Sequence, residues 1–347
     1  MRYRHRAGLS LGVLLWGTAA WGATYYSAPS GSGTACSQEA PCSLGTGTST
    51  LRPGDTLYLR GGTYNDGINP GVGGLASGSG ESSRTTIAGY PGEMPVLTRL
   101  NLGEGGGFSW MTFSGLRIEG GGVFLGGDTH HIRVQQSDIA GGRMGISGSG
   151  GFHEFIGNQI HGAEYYGTYW SGHDTVFDGN DIYDNGGYGV HVFNTGHTDV
   201  SNNVIRNNRI IHNGIGEYGP GLGGVVVAHG THNVVDNNMI SENFAGVQVD
   251  YGCESCEVTN NTITNNRFHG IQVGSRASNT VLRNNLLSGN GSEISDFGSA
   301  TAQADNGTGA AGASAEPRRD PLPASSGGGG PAPRPTTTPT AFAAANP

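Results

Sequence analysis

The stretch "NVVDNNMISENFAGVQVD" (Asn233–Asp250) contains one whole unit of a repeat. It reads V-x-x-N-x-I, then a polar bend, then G-V-x-V. The same wording returns along the chain, so periodicity is the first property to establish. Taking the apolar residue that closes each N-x-I as a marker gives Ile118, Ile139, Ile160, Ile182, Ile205, Ile240, Ile263 and Leu287. Five residues earlier stand Phe113, Val134, Phe155, Phe177, Val200, Val235, Val258 and Leu282, all apolar. Two residues earlier stand Leu116 and Ser137, then Asn158, Asn180, Asn203, Asn238, Asn261 and Asn285.

Such a unit is too small to bury its own apolar face and must do so against its neighbours. Strands stacked in register advance about 4.8 Å per coil, which lines equivalent side chains into ladders. Asparagine suits the bend, because its side chain bonds backbone where the chain turns. A second polar ladder is expected at Asn185, Asn208, Asn243, Asn266 and Asn290. Past most markers a short strand opens on glycine: "GISG" (145–148), "GTYW" (167–170), "GVHV" (189–192), "GVVV" (224–227), "GVQV" (246–249) and "GIQV" (270–273). Period-two alternation points Val190 and Val192 inward and leaves an outward row of Ser147, Tyr169, His191, Val226, Gln248 and Gln272.

This pattern resembles the right-handed parallel β-helix repeat proteins, the pectate lyase-like superfamily of secreted polysaccharide lyases and epimerases. The resemblance is strong over 108–297 and weaker over 23–100, where "YYSAPSGSGTACSQEAPC" and "PGDTLYLRGGTYNDGI" look like an N-terminal cap and first coils. It implies an all-β fold of about eight clear coils plus that cap. The predicted organisation is a signal peptide (1–22), cap and first coils (23–107), repeat region (108–297) and a low-complexity disordered tail (298–347) rich in Gly, Pro, Ala and Thr.

Composition bounds the function. The chain has 347 residues, 65 glycines and no lysine, and its formal net charge is −9. No basic surface is available for nucleic acid. Arg2, Arg4 and Arg6 precede the apolar run 7–22, too short and too early for a membrane span, which reads as a secretory signal cut after Gly22. Its loss takes the charge from −9 to −12. No later segment reads as a membrane span. A secreted or periplasmic monomer is expected, with Cys36–Cys42 and Cys253–Cys256 as two short-loop disulfides.

In the resembling family the substrate is an anionic extracellular polysaccharide. Lyases and epimerases both remove a proton beside a carboxylate, which needs a base, an acid and a cation. A lysine base is impossible here. Calcium needs clustered carboxylates and carbonyls, and no such cluster is evident, so no metal or cofactor is assigned. The candidate catalytic residues are His191 and Tyr169, as acid and base in adjacent coils, with Arg143 or Arg267 against a carboxylate. Gln248, Gln272, Asp250, Glu217, Tyr218 and His269 are candidate substrate contacts. The epimerase motif "YG-x-D-P-H" has its nearest text in "YGTYWSGHD" (166–174), which lacks the Asp-Pro-His core. The outward row carries no paired carboxylates for a glycoside hydrolase. About a dozen extra residues between Ile205 and Ile240 read as one long loop walling the groove. The expected function is β-elimination on a uronate-containing polysaccharide. A non-catalytic glycan-binding or adhesin-like scaffold is the alternative, with C5-epimerase or glycoside hydrolase behind it.

Overall fold

The computed structural model describes residues 22–69, 74–103, 107–194, 196, 199–214 and 222–308. The expected signal peptide, apart from Gly22, and residues 309–347 of the expected tail lie outside the described residues. The chain winds as a right-handed parallel β-helix. Among the described residues, sheet I has twelve strands, from Thr24–Ser27 to Ala302–Ala304. Sheet II has eleven, from Gly62–Tyr64 to Gly307–Thr308. Sheet III has nine, from Leu100–Asn101 to Ser292–Asp296. One coil runs Val225–Ala228 in sheet III, Val234–Asp236 in sheet I and Met239–Ser241 in sheet II.

The bends explain the repeat. Between sheets I and II the chain turns through two residues, of which the first adopts a left-handed backbone, as at Asn207, Asn237, Asn260 and Asn284. The second joins a ladder and is buried in all but the last of these coils: Asn158, Asn180, Asn208, Asn238, Asn261, Asn285 and Asn306. From Asn180 onward each Oδ1 accepts the backbone N–H and side-chain N–H of its neighbour, while each Nδ2 donates to a carbonyl of an earlier strand. Asn238, for example, accepts from Asn208 N at 2.9 Å and donates to Ile205 O at 2.8 Å. A second ladder, Asn185–Asn213–Asn243–Asn266–Asn290, closes the bend from sheet II to sheet III. Buried backbone groups left without partners cost about 1–3 kcal/mol each, so these amides hold the turns together.

Two expected ladder members are displaced. Ile182 pairs with Ile210, and Ile210 with Ile240, whereas Ile205 pairs with Phe177 and Val235. Asn208 therefore replaces Asn203 in the first ladder, and Asn213 replaces Asn208 in the second. Asn203 instead links Thr175 to Asn233 in a short third ladder. The cause is local. "NVIRNNRI" (203–210) contains N-x-I twice, five residues apart, and five is the offset from sheet I to sheet II.

The single long loop consequently becomes two insertions. The connection 194–203 has ten residues, where 171–175 and 229–233 have five. The connection 212–224 has thirteen, where 184–189 has six. They leave opposite edges of sheet III in consecutive coils, on either side of the His191 and Val226 rungs.

The repeat also continues past residue 297, through Ala302–Ala304 and Gly307–Thr308. Gln303 and Thr308 occupy the places of Leu282 and Leu287 there, so the apolar signal fades while the Asp305–Asn306 bend persists. Inside, Phe155 stacks on Phe177 at 5.0 Å, and Trp170 of sheet III meets Phe155 edge-on at 5.5 Å. Full burial of such a ring contributes about 1.5–3 kcal/mol. Both expected disulfides are formed, with all four cysteines buried. Helix Leu44–Thr50, N-capped by Ser43, packs against the first strands.

Candidate functional site

The strands of sheet III open on glycine for a steric reason. A Cβ on Gly167 would lie 2.7 Å from the carbonyl oxygen of Gly189, and one on Gly189 would lie 2.8 Å from that of Gly224. This bend therefore approaches the next coil too closely for a side chain, and the residues after it are set in fixed alternation. Their outward row runs Asn101, Phe124, Ser147, Tyr169, His191, Val226, Gln248, Gln272 and Ser295. The row read from sequence is thus the row that forms.

Its centre is enclosed. The ring of His191 is surrounded by Tyr188 at 4.8 Å, Tyr169 at 5.0 Å, Tyr166 at 5.1 Å and Phe193 at 5.2 Å. Its Nδ1 is shielded from solvent and has no hydrogen-bond partner among the described residues. Burial in this nest disfavours the imidazolium and pushes His191 down to about 3. The same loss of solvent raises Tyr166, Tyr169 and Tyr188 above the ordinary phenol value. At neutral pH the group is therefore an unprotonated imidazole among protonated phenols. Tyr188 donates to Gln248 Oε1 at 3.0 Å, and Gln248 Nε2 donates to Gln272 Oε1 at 2.9 Å, which ties three rungs together. The aromatic band continues from Phe193 to His229 at 5.2 Å and on to Tyr251 at 5.9 Å, with Arg276 lying over Tyr251.

Other sequence candidates lie further off. Arg143 is exposed on the Ser147 rung, two coils from His191 or about 10 Å along the axis, and covers Tyr165. Arg267 is exposed beside the Gln272 rung, three coils the other way, over Phe244. Asp250 Oδ1 accepts the N–H of Tyr251, and its carboxylate lies against Gly274. His269 contacts Ser292 and Ser295 rather than the nest. Glu217 and Tyr218 lie outside the described residues. The structure therefore unites His191, Tyr169, Gln248 and Gln272 in one run and brings neither arginine to His191.

Tyr166, Tyr188 and Phe193 were missed in sequence. Phe193 stands two residues after His191 on the same face, a signal that alternation supplies. Tyr166 and Tyr188 share a rung position three residues before the outward row, and the bend swings them over it. Among the described residues no group of three or more His, Cys, Asp or Glu side chains is placed to hold a metal ion. No described helix is long and apolar enough to cross a membrane.

The fold has solved counterparts. Pectate lyase Pel9A superposes with a TM-score of 0.56 at 19% identity, covering 80% of this chain and 78% of that one. An alginate lyase from Paenibacillus sp. str. FPU-7 gives 0.53 at 14%, covering 80% and 99%. XylC in complex with xylose gives 0.53 at 13%, covering 81% and 68%. No curated protein sequence matches the chain. The family model for the right handed beta helix region matches residues 105–249 and 144–309, more than half of the sequence. The stacked coils, the ladders and that match together place the chain in the right-handed β-helix family.

Proposed function

We propose that the protein is exported, binds an extended extracellular polysaccharide along the outer face of sheet III and cleaves a uronate unit in it by β-elimination. The observation that carries this reading is the pairing of His191 with Tyr169 on adjacent rungs of the outward row, their rings 5.0 Å apart. His191 has a free lone pair to take the C5 proton. Tyr169, on the adjacent rung, has a proton for the departing O4 oxygen. As the C5–H bond breaks, its electron pair forms the C4–C5 double bond and the C4–O4 bond is released to the tyrosine proton. The enclosing rings offer apolar faces for sugar stacking. Arg143 and Arg267 would meet carboxylates of flanking units. The two disulfides support an extracellular or periplasmic location. The pectate and alginate lyases that share the fold make their named chemistry the first to test.

A second reading is non-catalytic glycan binding, favoured by the separation of both arginines from His191. One experiment separates the two. The full chain is incubated with pectate, alginate and glucuronan, and unsaturated uronate is followed by ultraviolet absorbance. Product formation that His191→Gln abolishes is the expected result. Polymer retention without product on any substrate would leave only the binding scaffold, and a new C5 stereochemistry by NMR without cleavage would make the protein an epimerase.

A further inference from the structure

At the far end of the same face, His269 Nδ1 lies 2.8 Å from Ser292 Oγ and 3.0 Å from Ser295 Oγ, and the two hydroxyls are 2.9 Å apart. These residues come from two adjacent coils. His269 pairs with Ser292, and Gln272 pairs with Ser295. Cross-rung pairing therefore sets both serines against one imidazole. Phe268 packs edge-on against that ring at 4.1 Å and fixes its orientation. Gln272 spends its Oε1 on Gln248, and its Nε2 makes no hydrogen bond among the described residues. All three chemically active side chains are half-buried rather than sealed in the core.

We propose that Ser292, Ser295 and His269 form a second active site that hydrolyses small carboxylic esters, with O-acetyl groups on the polymer in the groove as substrates. The choice of a glycan as acyl carrier rests on the function proposed above; the ester chemistry does not. A nucleophile needs a base within hydrogen-bond reach and a donor where the oxyanion forms. One serine hydroxyl supplies the nucleophile and the other supports it by hydrogen bond. Serine Oγ adds to the ester carbonyl carbon as its proton passes to His269 Nδ1. The carbonyl oxygen takes the negative charge and the free amide of Gln272 donates to it. Collapse breaks the ester C–O bond, and the protonated His269 gives its proton to the departing sugar oxygen, which leaves as a hydroxyl. Water then repeats the sequence on the acyl-serine and releases acetate. Burial holds His269 below the ordinary imidazole value, so it is unprotonated and able to act as base. The site spans the third and fourth rungs from His191, about 14–19 Å away, which lets one bound polymer reach both.

The test is covalent capture. The full-length protein is treated with a fluorophosphonate probe and the labelled peptide is found by mass spectrometry. In parallel, acetate release is measured from p-nitrophenyl acetate and from O-acetylated pectate and alginate. The expected result is an adduct on Ser292 or Ser295, acetate release, and a loss of both by about a hundredfold or more in His269→Gln. An unlabelled wild-type protein, a label elsewhere, or acetate release no greater than that of the Ser292→Ala, Ser295→Ala double variant overturns the site. An adduct without acetate from any glycan overturns the glycan assignment. Neither readout uses the ultraviolet signal of elimination, so the two proposals stand or fall separately.

Discussion

The bend between sheets I and II and the outer face of sheet III are built from the same coils, yet they behave oppositely. At the bend every coil from Gly157–Asn158 to Asn284–Asn285 repeats one solution, a left-handed residue followed by a buried asparagine. On the face of sheet III no two neighbouring rungs from Ser147 to Val226 carry the same residue, and the connections on either side vary from three residues to thirteen. The first region satisfies buried backbone groups, which allows few alternatives. The second presents side chains outward, where the fold imposes only spacing. Stability should accordingly reside in the ladders and chemistry in the face, and substitutions can break or sharpen that division.

The largest effect is expected at Asn238→Ala. It removes the acceptor for Asn208 N and Nδ2 and the donor to Ile205 O and Asn261 Oδ1, all buried. The predicted loss is about 3–5 kcal/mol, read from urea unfolding. A variant within about 1 kcal/mol of the parent would mean that the ladder is decorative. On the face, His191→Gln should instead lower elimination by about 10²–10⁴-fold while the unfolding midpoint stays near that of the parent. Equal losses of stability at both positions would erase the distinction.

A smaller effect is expected at Gly224→Ala, where the new Cβ would sit 2.8 Å from Ile240 Cγ2 and 3.1 Å from Gly246 O. Crowding there should cost about 1–3 kcal/mol by the same measurement. A separate readout is a slope with pH. His191 on the face and His153 in the interior are both held near 3 by burial, against about 6.5 unfolded. Below pH 6.5 the unfolded chain takes up protons that the folded one refuses. Their contribution is therefore complete above about pH 6.5 and is lost as pH falls toward 3. The thermal midpoint should be level from pH 7 to 8 and fall from pH 6.5 to 4. His153→Gln should flatten part of that fall, and an unchanged slope would contradict its buried neutral state.

The fold was readable because burial writes itself into sequence at fixed spacing. The outward direction of His191 and both disulfides followed from the residues alone. Register failed where "NVIRNNRI" offers N-x-I twice, since either copy satisfies the local pattern and only the neighbouring coils select Ile210. The repeat's end was placed too early because Gln303 and Thr308 lack the apolar signal that Asp305–Asn306 does not need. The candidate site was half visible. Alternation gives a side chain's direction but not its depth, and the enclosure of His191 depends on Tyr166 and Tyr188, which reach the face from a bend.

Hydrogen–deuterium exchange with a saturating uronate oligosaccharide tests the division of labour most directly. Protection is predicted in Tyr166–Trp170, Val190–Phe193 and His269–Val273, the sheet III strands that carry the two sites, with sheets I and II unchanged. Protection confined to sheet I or sheet II would place the binding surface elsewhere and contradict the account.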